Sequence, residues 1–114
     1  MNVNVIVLKT MAKQLPTDLD GFHLLKYAVF DKTVVRTGNT RHIVPGTNPE
    51  PDRIAICKSP DDESYYLFYC DSQWNVITDT LHQTVEIAEQ QAEFEFKNVE
   101  LMWQSILQLS LIHI

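Results

Sequence analysis

The pattern of apolar and polar residues is clearest between positions 65 and 99, where it predicts a β-hairpin followed by a helix. Six consecutive aromatic, aliphatic or thiol residues, Tyr65–Cys70, favour a strand with two apolar faces, which is typical of the middle of a sheet. Asp71, Ser72 and Gln73 supply the turn, and a second strand with a more open alternation runs on from Trp74. We expect one face of this hairpin to carry the helix.

The helix is predicted to begin after Thr84, whose hydroxyl can accept a hydrogen bond from a free N–H group of the first turn. At about 100° per residue, five small or apolar positions form one narrow stripe that would face the core. These positions are Val85, Ala88, Ala92, Phe96 and Val99. The alanines allow a close approach, which suits a sheet whose own side chains are as bulky as Tyr66, Phe68 and Trp74.

Shorter patterns extend the sheet on both sides of a long irregular connection. The further predicted strands are a hairpin made of Phe22–Asp31 and Thr33–Arg36, a strand at Arg53–Lys58 and an edge strand at Asn2–Lys9. Residues 38–52 and the shorter Pro16–Gly21 have the composition of loops. The order of these elements predicts an α+β fold, in which an antiparallel β-sheet of about five strands carries one amphipathic helix packed across one face.

A chain of 114 residues is long enough for one domain that buries roughly two thirds of its unfolded surface. We assign residues 1–108 to this single globular domain. Residues 109–114, Leu-Ser-Leu-Ile-His-Ile, match one translation frame of a sequencing adapter, and we interpret them as a non-native tail. The alternative is an ordinary apolar extension that begins at Leu101.

The two cysteines and the N-terminal residues bear on the compartment. Cys57 and Cys70 both fall inside predicted strands, which is typical of small buried hydrophobic residues in a reducing environment. The apolar run Val5–Leu8 is too short for the core of a signal peptide or for a membrane span. We therefore expect a cytoplasmic protein that does not enter a membrane.

Negative charge is concentrated in the second part of the chain. The net charge is −6, but residues 1–47 carry +3 and residues 48–114 carry −9. A field of this sign argues against binding to a nucleic-acid backbone and favours a basic protein partner. The predicted partner surface is an acidic row on the helix, opposed only by Lys97, together with two neighbouring apolar side chains. Its members are Glu86, Ile87, Glu89, Glu93 and Phe94. The alternative for the two apolar residues is a contact with the chain termini.

A second candidate surface combines a basic loop with a carboxylate and an imidazole from the hairpin. The loop Arg36–His42 places two guanidinium groups and an imidazole around a glycine, a combination that binds anions. Asp79 lies three residues before His82, and a carboxylate that orients an imidazole can begin acid-base chemistry. The candidate ligand-binding residues are Arg36, Arg41, His42, Asp79 and His82. The alternative is a polar turn and a local hydrogen bond between Asp79 and His82.

Other chemical signatures are missing from the sequence. The four histidines and two cysteines show no zinc-binding spacing. The chain contains no P-loop, no Gly-x-Gly-x-x-Gly and no Gly-x-Ser-x-Gly motif. We therefore predict no catalytic residue, no metal site and no cofactor.

Several short motifs together resemble a family of small bacterial proteins with no assigned activity. They are Arg36-Thr-Gly-Asn-Thr-Arg-His42, Ile54-Ala-Ile-Cys57, Tyr65-Tyr-Leu-Phe-Tyr-Cys-Asp71 with Trp74, Thr78-Asp-Thr-Leu-His82 and Gln91-Ala-Glu-Phe-Glu95. The resemblance spans residues 22–103. It implies a bacterial source and a short stand-alone domain, and it brings no catalytic or ligand residues with it.

Two functions are compatible with these observations. The first is a protein-binding module of the immunity or antitoxin kind, in which the acidic helix surface binds a basic partner. The second is a small-molecule or anion-binding domain, with or without enzyme activity, centred on the loop from Arg36 to His42. We favour the first, and the direction in which the two arginines point would distinguish them.

Overall fold

The computed structural model describes residues 16, 18–46 and 50–106. In chain order its elements are β1 (Asp18–Leu19), β2 (Phe22–Val29), β3 (Val35–Arg36), β4 (Arg53–Lys58), β5 (Tyr65–Cys70), β6 (Val76–His82), α1 (Val85–Glu95), β7 (Phe96–Lys97), a 3-10 turn (Val99–Leu101) and β8 (Trp103–Ser105). The predicted α+β class is confirmed, because an antiparallel sheet carries a helix on one face. The predicted strand Asn2–Lys9 and the tail 109–114 lie outside the described residues.

The main sheet has the order β1-β2-β4-β5-β6, and every neighbouring pair is antiparallel. β8 also pairs with β2. It lies along the same side of β2 as β1 does, but nearer the C-terminal end of β2. β4 and β5 occupy the centre, and most of their side chains are buried. This agrees with the two apolar faces expected of Tyr65–Cys70. β6 lies at the edge opposite β1.

The predicted hairpin of Phe22–Asp31 with Thr33–Arg36 is wrong. β2 pairs with β4, while β3 pairs with β7 in a separate two-stranded sheet, where Arg36 lies opposite Phe96. The side chain of Asp31 accepts a hydrogen bond from the N–H of Thr33 at 2.8 Å, which turns the chain after β2. Pairing β2 with β4 buries Ala28 beside Ile54, whereas Val35 remains exposed. The larger apolar burial therefore decides the partner of β2.

The sheet has an apolar cluster on each face, and α1 covers the cluster that contains Leu67 and Tyr69. Tyr66, Phe68 and Trp74 lie on the opposite face, so the alanines of α1 approach Leu67 and Tyr69 rather than these bulkier side chains. Phe22 packs edge-on against both Tyr66 and Phe68 there. The aromatic residues of that face thus pack among themselves, and the face with Leu67 and Tyr69 meets the small residues of α1.

The predicted core stripe of the helix is largely confirmed, but the helix is shorter than the stripe. Thr84 caps its start, since its hydroxyl accepts from the N–H of Ile87 at 3.0 Å. Ala88 and Ala92 are fully buried in the sheet-facing cluster. The helix ends at Glu95 because Phe96 adopts an extended backbone and pairs with β3.

The turn between β5 and β6 is longer than predicted. The Asp71 carboxylate accepts hydrogen bonds from the N–H groups of Gln73 and Asn75, both at 2.9 Å, and so organises the turn. Trp74 has a φ of 63°, an uncommon value for a bulky residue, and its ring packs on Tyr27. β6 therefore begins at Val76 rather than at Trp74.

Both cysteines are buried and unpaired in neighbouring central strands, as predicted. Burial is the main cause that raises the pKa of each thiol to about 12. The thiols of Cys57 and Cys70 are therefore protonated near neutral pH and act as small apolar side chains.

Ala92→Leu tests the packing of α1 on the sheet. The added atoms meet a fully buried surface, so we expect a loss of about 1–3 kcal/mol in the free energy of unfolding. Denaturant titration measures this loss. The matched control is Gln90→Leu, at an exposed position of the same helix, where the change should stay within about 0.5 kcal/mol. Equal effects at the two positions would contradict the observed helix orientation.

Candidate functional site

The loop after β3 is bound to the C-terminal end of α1. The N–H of Thr37 donates to the carbonyl oxygen of Glu95 at 2.9 Å, and the Thr37 hydroxyl donates to that of Phe94 at 2.7 Å. The Asn39 side-chain amide also donates to Phe94, at 2.9 Å. Gly38 lies between these two donors with a φ of +79°, a value that glycine adopts without strain. The loop therefore satisfies carbonyl groups that the end of a helix leaves unpaired.

The same loop and helix enclose a buried carboxylate. The Glu95 side chain is only 4% exposed and accepts hydrogen bonds from three side chains. The Tyr69 hydroxyl and the Gln91 amide donate to one oxygen, and His42 Nε2 lies 2.8 Å from the other. A buried carboxylate needs such partners, because an unpaired buried charge would cost several kcal/mol.

His42 connects the carboxylate to the edge strand β6. Its ring is 11% exposed and packs 4.2 Å from the Tyr69 ring, centroid to centroid. Nε2 donates to Glu95, while Nδ1 lies 2.9 Å from the Thr78 hydroxyl. A neutral imidazole accepts from Thr78 through Nδ1, and a protonated one donates to it. Thr78 therefore has a partner in both charge states of the ring.

A second imidazole lies further along β6. His82 Nε2 is 2.7 Å from the Thr80 hydroxyl, which is itself 3.5 Å from the Tyr69 hydroxyl. Burial lowers the pKa of His82, and the negative charge of Glu95 acts against this shift. Burial also raises the pKa of Tyr69, and the hydrogen bond to Glu95 adds to that effect. We call these linked side chains the Glu95 network; its members are His42, Tyr69, Thr78, Thr80, His82, Gln91 and Glu95.

The Glu95 network joins the loop after β3 to two elements that follow it much later in the sequence, the edge strand β6 and α1. Its hydroxyl, imidazole and carboxylate groups can hold a proton or pass one along hydrogen bonds. Among residues 16, 18–46 and 50–106, no group of three or more His, Cys, Asp or Glu side chains is placed to hold a metal ion. Through the contacts of His42 with Glu95 and Thr78, the network holds the loop against the helix and the sheet.

The structure brings together only two of the five predicted ligand-binding residues. His42 and His82 belong to the Glu95 network. Arg36 lies in β3 with a guanidinium nitrogen 4.0 Å from the Glu50 carboxylate, and Arg41 is exposed. Asp79 and His82 point to opposite faces of β6, because residues three apart in a strand alternate sides.

Glu95, Tyr69 and Gln91 are not among the site residues predicted from the sequence. A signal for Glu95 was present, since it lies seven residues after Ala88 and so on the core stripe of the helix. A charged residue at such a position needs buried hydrogen-bond partners. Tyr69 supplies one of them from the central strand β5.

The predicted partner surface on α1 is mostly exposed. Glu86, Ile87, Glu93 and Phe94 face outward, and we call these four residues the acidic helix face. Glu89 differs, because it forms an ion pair with Lys26 of β2. The expectation that only Lys97 opposes the acidic row is therefore wrong.

Comparisons with known proteins add no functional information. No protein family, curated protein or solved structure matches this chain. The resemblance to small bacterial proteins stays a prediction. Within the part of the chain that the structure describes, no helix is long and apolar enough to cross a membrane.

Glu95→Ala tests the importance of the buried carboxylate. The substitution leaves the donors of Tyr69, Gln91 and His42 without their acceptor, so we expect a loss of about 3–5 kcal/mol in the free energy of unfolding. Denaturant titration measures it. The control is Glu93→Ala, at an exposed position of the same helix, with an expected change within about 0.5 kcal/mol. A small loss for Glu95→Ala would mean that the network does not hold the fold together.

His82 makes stability depend on pH. Because the folded state lowers the pKa of His82, the unfolded state binds the proton more readily, and the stability present above about pH 6.5 falls as the pH drops below it. The stability difference between the wild type and His82→Gln should therefore shrink between about pH 7.5 and pH 5.5. Urea titrations at a series of pH values measure the difference. A flat difference, or one that grows in acid, contradicts the burial of this imidazole.

Proposed function

We propose that this chain is a small acidic protein-binding module of the cytoplasm, of the immunity or antitoxin kind, and that its acidic helix face binds a basic partner. The observation that carries this proposal is the exposure of two large apolar side chains on one helix face. Ile87 is 42% exposed and Phe94 is 53% exposed. They are seven residues apart, so they lie within about 20° of each other around the helix axis. Apolar residues aligned in this way are typical of a helix face that contacts another protein.

The charges around these two residues indicate the chemistry of the partner. Glu86 and Glu93 directly precede Ile87 and Phe94, and Glu100 lies close enough to Glu93 to act on its pKa. Partial burial is the main cause that raises the pKa of Glu93, and the charges of Glu100 and Glu89 add to it. Within the described residues, no ion pair involves Glu86, Glu93 or Glu100. Cationic side chains on a partner would relieve the repulsion between Glu93 and the neighbouring carboxylates.

The cytoplasmic part of the proposal is supported by the cysteines. Cys57 and Cys70 are both free and buried. Free cysteines without a disulfide partner are typical of proteins in a reducing compartment.

The alternative anion-binding function has less support, because most of the loop's polar groups have partners within the chain. Thr37 and Asn39 bind the end of α1, and His42 binds Glu95. The Arg36 guanidinium lies near the Glu50 carboxylate. These contacts account for the four residues without a ligand, whereas Arg41 is exposed.

Affinity capture from a lysate of the source cells tests the proposed function. The double variant Glu86→Gln/Glu93→Gln should recover the basic partner about tenfold less well than the wild type at low salt, with a smaller difference at moderate salt. Phe94→Ala should also weaken capture, at any salt concentration, because it removes an apolar contact.

The matched control is Asp61→Asn/Glu63→Gln, which removes the same charge from the exposed turn between β4 and β5. This control should capture the partner like the wild type. If the helix variants and the control recover the same proteins, or if no basic protein is recovered, the proposed function is wrong.

A further inference from the structure

β6 is an edge strand of the main sheet with one side paired to β5. Within the described residues, no strand and no backbone hydrogen bond occupies its other side. The strand is seven residues long, which is enough to pair with another extended segment. An exposed edge of this length presents unpaired N–H and C=O groups to its surroundings.

The hydrogen-bond pattern between β4, β5 and β6 determines which backbone groups of β6 point outward. The N–H of Ser59 donates to the carbonyl of Ser64 at 3.0 Å, in register with the β4–β5 ladder, so these two residues form a hydrogen-bonded pair. Hydrogen-bonded pairs alternate along an antiparallel ladder. Tyr65, Leu67 and Tyr69 therefore direct their backbone groups toward β6.

The opposite residues of β6 receive those bonds. His82, Thr80 and Thr78 lie across from Tyr65, Leu67 and Tyr69 and so direct their backbone groups toward β5. The backbone N–H and C=O groups of Asp79 and Leu81 consequently point away from the sheet.

The side chains of β6 divide in a way that suits a binding edge. Thr78, Thr80 and His82 belong to the Glu95 network, which holds the strand in place from the helix side. Asp79 and Leu81 point to the other face, and both are exposed; Leu81 is 58% exposed. The open edge thus offers fixed backbone donors and acceptors together with one negative and one apolar side chain.

We propose that the outer edge of β6 binds an extended, cationic segment of a protein partner by antiparallel strand addition. Main-chain hydrogen bonds to Asp79 and Leu81 would supply binding, and a lysine or arginine opposite Asp79 would supply specificity. The positive charge of this segment rests on the proposed function, in which the partner is basic. The strand pairing itself rests on the sheet edge alone.

A cationic segment fits this edge better than a second copy of the chain. Two copies would bring together molecules that each carry a net charge of −6. Antiparallel self-pairing about the centre of β6 would also place Asp79 opposite or diagonal to the same residue of the other copy. A single acidic residue on an edge strand opposes self-association and attracts a basic strand.

Amide hydrogen exchange tests whether the edge is open. In the free protein, the amides of Asp79 and Leu81 should exchange at least about tenfold faster than those of Thr78 and Thr80, because only the latter donate to β5. If Asp79 and Leu81 are as protected as their neighbours in dilute protein, the edge is already covered and the proposal is wrong. Protection that appears only as protein concentration rises means a second copy, which also overturns it.

The second test uses a synthetic peptide with acetylated and amidated ends and the sequence Val-Thr-Lys-Thr-Val. Its lysine can lie opposite Asp79 and its valines opposite Ile77 and Leu81. Nuclear magnetic resonance titration should protect the amides of Asp79 and Leu81 on binding. N-methylation of the lysine, whose N–H faces β6, should weaken binding by about tenfold, whereas N-methylation of either threonine, whose N–H faces away, should not.

A charge exchange completes the test and leaves the fold intact, because Asp79 is exposed and its side chain belongs to no described ion pair. Asp79→Lys should bind the lysine peptide at least about tenfold more weakly and should bind the matching peptide Val-Thr-Glu-Thr-Val instead. Any other pattern of N-methyl or charge effects overturns strand addition. The Glu86→Gln/Glu93→Gln variant should bind the lysine peptide like the wild type. The test of strand addition at β6 can therefore fail without affecting the test of the acidic helix face, and the reverse also holds.

Discussion

The buried carboxylate of Glu95 is the feature on which the arrangement of this protein depends. A charge that is almost fully removed from water is stable only where several donors meet it. Here the donors come from three directions: Tyr69 from the sheet, Gln91 from the helix and His42 from the loop. The need to pair one charge therefore fixes the relative positions of three elements that small apolar side chains alone would specify less exactly. The alanines of α1 supply contact area with the sheet, and the hydrogen bonds of Glu95 fix the position of the helix on the sheet.

Much of the fold could be predicted from local patterns. The strands at Arg53–Lys58 and Tyr65–Cys70, the cap at Thr84 and the burial of Ala88 and Ala92 all follow from periodicity and side-chain chemistry. What could not be predicted was pairing between distant segments. Periodicity does not state which of two apolar faces a helix will cover, nor that Val35–Arg36 will pair with residues some sixty positions later. Those choices depend on the total apolar area buried in competing arrangements.

The candidate site was harder to predict than the fold. The basic loop is noticeable in the sequence because its arginines, glycine and histidine lie close together. The contacts that hold the loop in place, however, are made by Thr37, Asn39 and His42. Their partners are helix carbonyls and a carboxylate more than fifty residues away. The helix surface was predicted more accurately than the loop, since the helical period correctly predicts that four of its residues are exposed: Glu86, Ile87, Glu93 and Phe94. Even there, the ion pair of Glu89 with Lys26 depends on a strand that sequence spacing does not connect to the helix.

The binding of the loop after β3 to the C-terminal end of α1 limits the order in which the chain can fold during synthesis. Residues 37–42 leave the ribosome well before residues 94–97, at about 5–20 residues per second, and have no helix end to bind until then. The edge of β2 that pairs with β8 stays uncovered for longer, because β8 is synthesised after the helix. The loop and the central strands must therefore remain incompletely packed until the last third of the chain is made. Contacts of such long sequence separation slow folding, so the nascent chain exposes its aromatic strands for longer than a helical domain of equal size would.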